Sequence, residues 1–190
     1  MNSVTRHKNA KKKALELLKA GQLQEAKSLF REVLKKDRKD IESWYYLGSV
    51  YGRLGLYKQA EECCRKVVHI QPDHAGGCMN LGLALLHQKK LSESEKCFRK
   101  ALRLRPGFAE AYYNLGLNYR SRGEFDKAVI NYRKALEISP AYVEAHVNLA
   151  NVLQDSMEFD EAEAHYQAAL RYQPGFAEAK YNLANSYAHQ

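Results

Sequence analysis

Four asparagines, Asn80, Asn114, Asn148 and Asn182, return at a constant step of 34 residues. A primary amide both donates and accepts. One asparagine can therefore meet the C=O and the N–H of a peptide unit together, a contact that reads backbone rather than side chains. The alternative is that these amides hydrogen-bond within the chain itself or to water. The same slot holds Lys12 and Tyr46 earlier in the chain. Asparagine is a mediocre helix former, so propensity does not account for its return.

Other reactive residue types form no comparable pattern. Cys63, Cys64, Cys78 and Cys97, with His69 and His74 nearby, match no C-x2-C zinc framework, and they read as reduced cysteines acting as small hydrophobes. There is no Gly-rich phosphate loop, no H-E-x-x-H and no G-x-S-x-G. The seven histidines are scattered, with His146 in the slot of Trp44 and His165 on a following helix. Asp160 and Glu161 fall where a helix begins, where carboxylates complement the helix dipole. The expectation is a protein that is not an enzyme and uses no metal or cofactor.

The elements that carry the asparagines follow from apolar spacing. Trp44, Leu47, Gly48 and Tyr51 make one helical stripe, and Ala60, Cys64, Val67 and Val68 make a second. Gly55 between them can take the positive φ that ends the first helix, and Pro72 stops the second. Each copy is thus a helical hairpin. Gly48, Gly82 and Gly116 sit inside helices at a cost of about 1 kcal/mol each, which implies a close helix crossing there, with Ala60, Ser94 and Ala128 expected to face them. Phe108, Tyr142 and Phe176 are expected to pack between neighbouring copies.

The residues Trp44, Leu47, Gly48, Tyr51, Ala60 and Pro72 reproduce the W-x2-L-G-x2-Y, A-x3-F, P pattern, with Cys64 in place of the aromatic. The chain resembles the tetratricopeptide repeat (TPR) family. The resemblance implies an all-α fold, an α-solenoid in the form of a right-handed superhelix of stacked helix–turn–helix repeats. Residues 1–6 would be a disordered lead-in. The repeats would span 7–40, 41–74, 75–108, 109–142 and 143–176, with the first helix of a further repeat at 177–190, which reads as part of a longer array. Lys8, Lys11, Lys12 and Lys13 would lie on a solvated capping face.

In that family the first helices line a concave groove. Carried over by resemblance, Asn80, Asn114, Asn148 and Asn182 form a ladder along it, with Tyr113, Asn151, Asn185, Tyr181, Leu83 and Leu117 as neighbours. First helices about 10 Å apart would match an extended ligand rising about 3.3 Å per residue, one asparagine per three ligand residues. The Asn-Leu-Gly and Asn-Leu-Ala motifs are similar to the TPR region of O-GlcNAc transferases. A carboxylate clamp for chaperone tails is not expected, because its cationic slot holds Gly76, Glu110, Glu144 and Glu178. The implied function is a scaffold binding an extended peptide or protein in the groove. The alternatives are a substrate-docking arm of a longer glycosyl- or sulfotransferase, or a self-assembling scaffold.

Charge favours some partners over others. The formal net charge is +8, but residues 1–40 carry 12 Lys and Arg against 5 Asp and Glu, and residues 143–176 carry 1 against 6. Self-association through oppositely charged terminal repeats is one consequence. Nucleic acid is not expected, since the basic residues are not interleaved with exposed aromatics. No apolar run approaches a membrane span and no secretory signal is evident, so membrane insertion is not expected and the location reads as cytoplasmic.

Overall fold

A computed structural model describes residues 3–188 of the chain, with side chains described for residues 8–186. It contains eleven helices and no strand among the described residues: α1 (Ser3–Lys19), α2 (Leu23–Lys36), α3 (Ile41–Arg53), α4 (Tyr57–Ile70), α5 (Ala75–His87), α6 (Leu91–Leu104), α7 (Ala109–Ser121), α8 (Phe125–Ile138), α9 (Val143–Asp155), α10 (Phe159–Tyr172) and α11 (Ala177–Ala188). From α3 onward the first helix of each pair starts 34 residues after the last. Helix α1 begins inside the six residues expected as a lead-in, and Met1 and Asn2 lie outside the described residues.

The turns within pairs share one device. At the end of α3, Gly55 takes φ 72°. The Leu56 N–H then reaches back to the Tyr51 carbonyl at 2.9 Å, closing the helix in a Schellman-type cap. Lys89 and Met157 hold the same left-handed slot with φ 61° and 65°. The second helices end where expected, but proline is not required. Helix α2 stops at Lys36 with Asp37 at φ −130°, and α4 stops at Ile70 with Gln71 at the same φ, although only α4 is followed by proline. A backbone N–H to the i−4 carbonyl completes both ends.

Two compact units divide the chain, Met1–Leu104 and Arg105–Gln190. In the first unit the helix pairs stack through α2 against α3 and α4 against α5. Its core joins Ala14, Phe30, Leu34, Leu47, Val50 and Cys63. Lys11, expected on a solvated face, instead reaches α3: its ammonium donates to the Asp40 carboxylate at 3.0 Å, and Asp40 also caps α3 by accepting from the Ser43 N–H. A carboxylate held in place at a helix N-cap makes a better partner for that lysine than water alone.

In the second unit α8 packs on α9 and α10 on α11, around fully buried Tyr132, Leu149, Leu153 and Tyr166. The close crossings at the helical glycines are present, but the nearest side chain at each is larger than the expected Ala60, Ser94 or Ala128. A Cβ built on Gly116 would lie 2.5 Å from the Tyr132 ring, and one on Gly82 would lie 2.7 Å from the Phe98 ring. The aromatic of the second helix lies over the glycine of the first. At Gly48 that position is filled by the Cys64 sulfur, 2.9 Å from the same construction, and the Ala60 carbonyl is 3.6 Å away. Ala128 is buried without being among the nearest neighbours of Gly116, and the Ser94 hydroxyl donates to the Gly82 carbonyl at 2.8 Å.

Candidate interaction surface

The second unit presents the first helices α7, α9 and α11, which carry three of the four recurring asparagines. Asn148 on α9 is a junction. The Arg120 guanidinium of α7 donates to its Oδ1 at 2.9 Å. Its Nδ2 donates to the Tyr113 hydroxyl at 3.1 Å and to the Glu144 carbonyl of its own helix at 2.9 Å. Both amide hydrogens are therefore engaged, and one oxygen lone pair is left. One repeat later, Asn182 Nδ2 of α11 donates to Asn151 Oδ1 of α9 at 2.8 Å. The buried Tyr166 hydroxyl lies 2.7 Å from the same Oδ1 and 3.0 Å from Gln154 Oε1, so its single hydrogen is shared.

The remaining sequence candidates are placed differently. Asn114 is 7% exposed and its Nδ2 donates to the Glu110 carbonyl at 2.7 Å within α7. Asn185 and Leu117 are half-buried, and Tyr181 stands out at 68% exposed. In the first unit Asn80 and Leu83 are half-buried on α5, and the Asn80 side chain makes no hydrogen bond among the described residues. The amides thus form two separate interhelical clusters, Tyr113–Asn148–Arg120 and Tyr166–Asn151–Asn182. Tyr187, which continues the apolar stripe of α11 in sequence, has no described side chain.

Charge on this face is acidic. Glu110, Glu144 and Glu178 occupy the same slot of α7, α9 and α11, are exposed, and enter no salt bridge among the described residues. Their field reaches the tyrosines. Burial, reinforced by Glu144 and Glu178, pushes the Tyr113 hydroxyl up to about 12. Tyr142, packed on Tyr113 at 4.8 Å between centroids, is likewise pushed up by burial, by Tyr113 and by Glu144 and Glu110. An open depression of about 630 Å³ lies between the starts of α7 and α9, bordered by Glu110, Tyr142 and Glu144. Arg105 is the cation on its edge, and its guanidinium lies 4.1 Å over the Phe108 ring.

Two features escaped the sequence reading. His146 and His165 lie on paired helices with their Nδ1 atoms 2.9 Å apart. The His146 Nε2 faces the Pro140 carbonyl at 2.9 Å, so it carries a hydrogen, and His146 Nδ1 accepts from His165. Burial lowers both imidazoles below the ordinary histidine range. The signal was the 19-residue spacing, which also brings Cys78 near Cys97. All four cysteines are free, and burial pushes the Cys63 and Cys64 thiols up to about 12, away from reactive thiolate. Among the described residues no group of three or more His, Cys, Asp or Glu could hold a metal ion, and no helix is long and apolar enough to cross a membrane.

Comparison with known proteins agrees with this architecture. The family model for the Cilia and flagella-associated protein 70 middle TPR-like domain matches residues 11–107, and tetratricopeptide repeat models match 97–130, 116–156 and 147–190. The chain belongs to the tetratricopeptide repeat family, and its fold is of the α-solenoid class. The crystal structure of MamA is 28% identical over 87% of this chain and 96% of that one, with a TM-score of 0.74. A thermophilic TPR protein of Thermus thermophilus is 26% identical over 96% and 99%, with a TM-score of 0.79. PilW, a type IV pilus biogenesis factor, shares the fold at 22% identity over 99% and 88%, with a TM-score of 0.85. No curated protein matched the chain in sequence. Family and fold neighbours alike imply a protein–protein interaction scaffold.

Proposed function

We propose that the chain is a protein-interaction scaffold and that the first-helix face of its second unit takes an extended segment bearing lysine or arginine. The observation that carries this reading is the repeat of exposed carboxylates Glu110, Glu144 and Glu178, one per first helix and outside any salt bridge among the described residues, the first two beside the depression that Tyr142 borders. A cation entering there finds two carboxylates and an aromatic face together. The interhelical clusters around Asn148 and Asn151 hold the three helices in register, so the face is organised before a partner arrives. Tyr181, 68% exposed on α11, offers an aromatic contact beside Glu178. The amides contribute chiefly by positioning, and the backbone contacts open to a guest are the free lone pair of Asn148 and the unused groups of Asn182 and Asn185.

The test is a comparison of extended peptides matched in length and hydropathy but differing in charge. Lysine- and arginine-bearing peptides should bind, with affinity falling as salt rises. The combined Glu110→Gln, Glu144→Gln and Glu178→Gln variant, altered only at exposed side chains, should lose affinity by about tenfold or more. Equal binding of acidic peptides, or full retention of affinity in the triple variant, would refute the reading.

A further inference from the structure

Two further surfaces, one in each unit, carry opposite charge. In the first unit a cavity of about 510 Å³ opens between α2, α3 and α4. This volume lies inside the range of about 300–1,000 Å³ usual for ligand pockets. Trp44, Leu47 and Tyr51 form its apolar floor. The indole is fixed by a hydrogen bond from its Nε1 to the Arg38 carbonyl at 2.9 Å. Around the rim stand Arg31, Lys35, Arg38 and Lys66, with Glu62 as the one carboxylate. None of these four cations enters a salt bridge among the described residues.

In the second unit the turn between α9 and α10 is the reverse. Met157 is 79% exposed, the most exposed of the large hydrophobic side chains among the described residues. It is also held at φ 65°, in the slot that Gly21, Gly55 and Gly123 occupy in other turns. An L side chain is disfavoured in that left-handed region, and a bare methionine is disfavoured in water. Glycine would relieve both costs, yet this turn carries methionine. Asp155, Glu158 and Asp160 surround it, exposed and outside any salt bridge among the described residues.

We infer that the α9–α10 turn of one copy docks into the first-unit cavity of a second copy. Met157 inserts over the rings of Trp44 and Tyr51, where a thioether makes favourable aromatic contacts. Asp155, Glu158 and Asp160 then face Arg31, Lys35, Arg38 and Lys66. Charges that enter no salt bridge among the described residues of one copy gain partners in the pair. Each chain offers one plug and one socket, so the contact is heterologous and repeats from copy to copy or closes on itself. A single turn in a pocket buries little area, which makes the association weak and sensitive to salt.

Sedimentation velocity on the full chain tests this, from about 10 μM to about 1 mM, the range in which small interfaces associate. At low salt the average mass should rise with concentration, and at about 0.5 M salt it should return to that of the monomer. Met157→Gly removes the plug, and Lys35→Glu with Lys66→Glu spoils the socket. Each variant alone should stay monomeric, while their equimolar mixture should form a complex that stops at two chains. The melting temperature of Met157→Gly should not fall, which separates lost association from lost folding. A wild-type chain that stays monomeric throughout would overturn the inference and leave the cavity to a different acidic partner. Undiminished association of Met157→Gly, or a mixture that forms no complex, would overturn it equally.

Discussion

Replacing Asn148 by alanine removes three hydrogen bonds, two of which join α7 to α9. The bond from Arg120 is charge-assisted, and such bonds contribute roughly 1.5–3 kcal/mol, with the low end appropriate to a half-buried pair. The bond to the Tyr113 hydroxyl is neutral and adds about 1 kcal/mol. The third goes to the Glu144 carbonyl, which the helix already satisfies, so its loss counts little. Alanine returns about 0.5 kcal/mol of helix propensity. The net expectation is a loss of about 2 kcal/mol. Urea unfolding followed by far-ultraviolet circular dichroism reads it as a lower midpoint at constant slope. In a double-mutant cycle Asn148→Ala with Arg120→Leu should show a coupling of about 1 kcal/mol. Asn80→Ala, at the same slot but with no side-chain hydrogen bond among the described residues, should stay within about 0.5 kcal/mol of wild type. A loss at Asn148 no larger than at Asn80, with no coupling to Arg120, would refute a structural role for this amide.

Other substitutions probe the same physics. Glu61 is nearly buried; burial alone would raise its pKa, but hydrogen bonds from Lys90, Arg65 and Gln88 outweigh that and bring it from 4.5 down to about 2. A depressed carboxyl contributes stability that is complete above pH 4.5 and is lost as the pH falls toward 2. The shift alone caps this at about 3 kcal/mol, and half-exposed Arg65 and Lys90 reduce it to about 1–2 kcal/mol. Glu61→Gln should therefore lower the midpoint at pH 7 and leave it nearly unchanged at pH 2; an equal loss at both would contradict the assignment. Gly116→Leu forces a side chain into the Tyr132 ring and should cost about 3 kcal/mol or more, whereas Gly107→Ala, with nothing within 4 Å of the added Cβ, should be close to neutral. Unchanged thermal melting of Gly116→Leu would argue against the close crossing.

The helix pairs were legible in the sequence because the signals that set them are local. A 3.6-residue apolar rhythm and a residue able to take positive φ act within one repeat, and the 34-residue step returns them in the next. Helix α2 ends on schedule without proline because the closing hydrogen bond is local too. The glycines announced a close crossing, but which side chain lies over them depends on how the second helix rolls against the first, and here it brings the ring of Phe98 or Tyr132 across.

What the sequence determined by itself is therefore the repeat, its paired helices and the slot where asparagine recurs. What each asparagine does was decided only by the tertiary structure. Asn148 meets Arg120 and Tyr113, 28 and 35 residues before it. The corresponding positions before Asn80 hold Gly52 and Tyr45, so no cation waits there. Before Asn182 they hold Gln154 and Val147, and its amide turns to Asn151 instead. Identical slots acquire different partners because a side-chain amide is satisfied by whatever the neighbouring repeat presents within about 3 Å, and that neighbour is chosen by packing rather than by sequence adjacency.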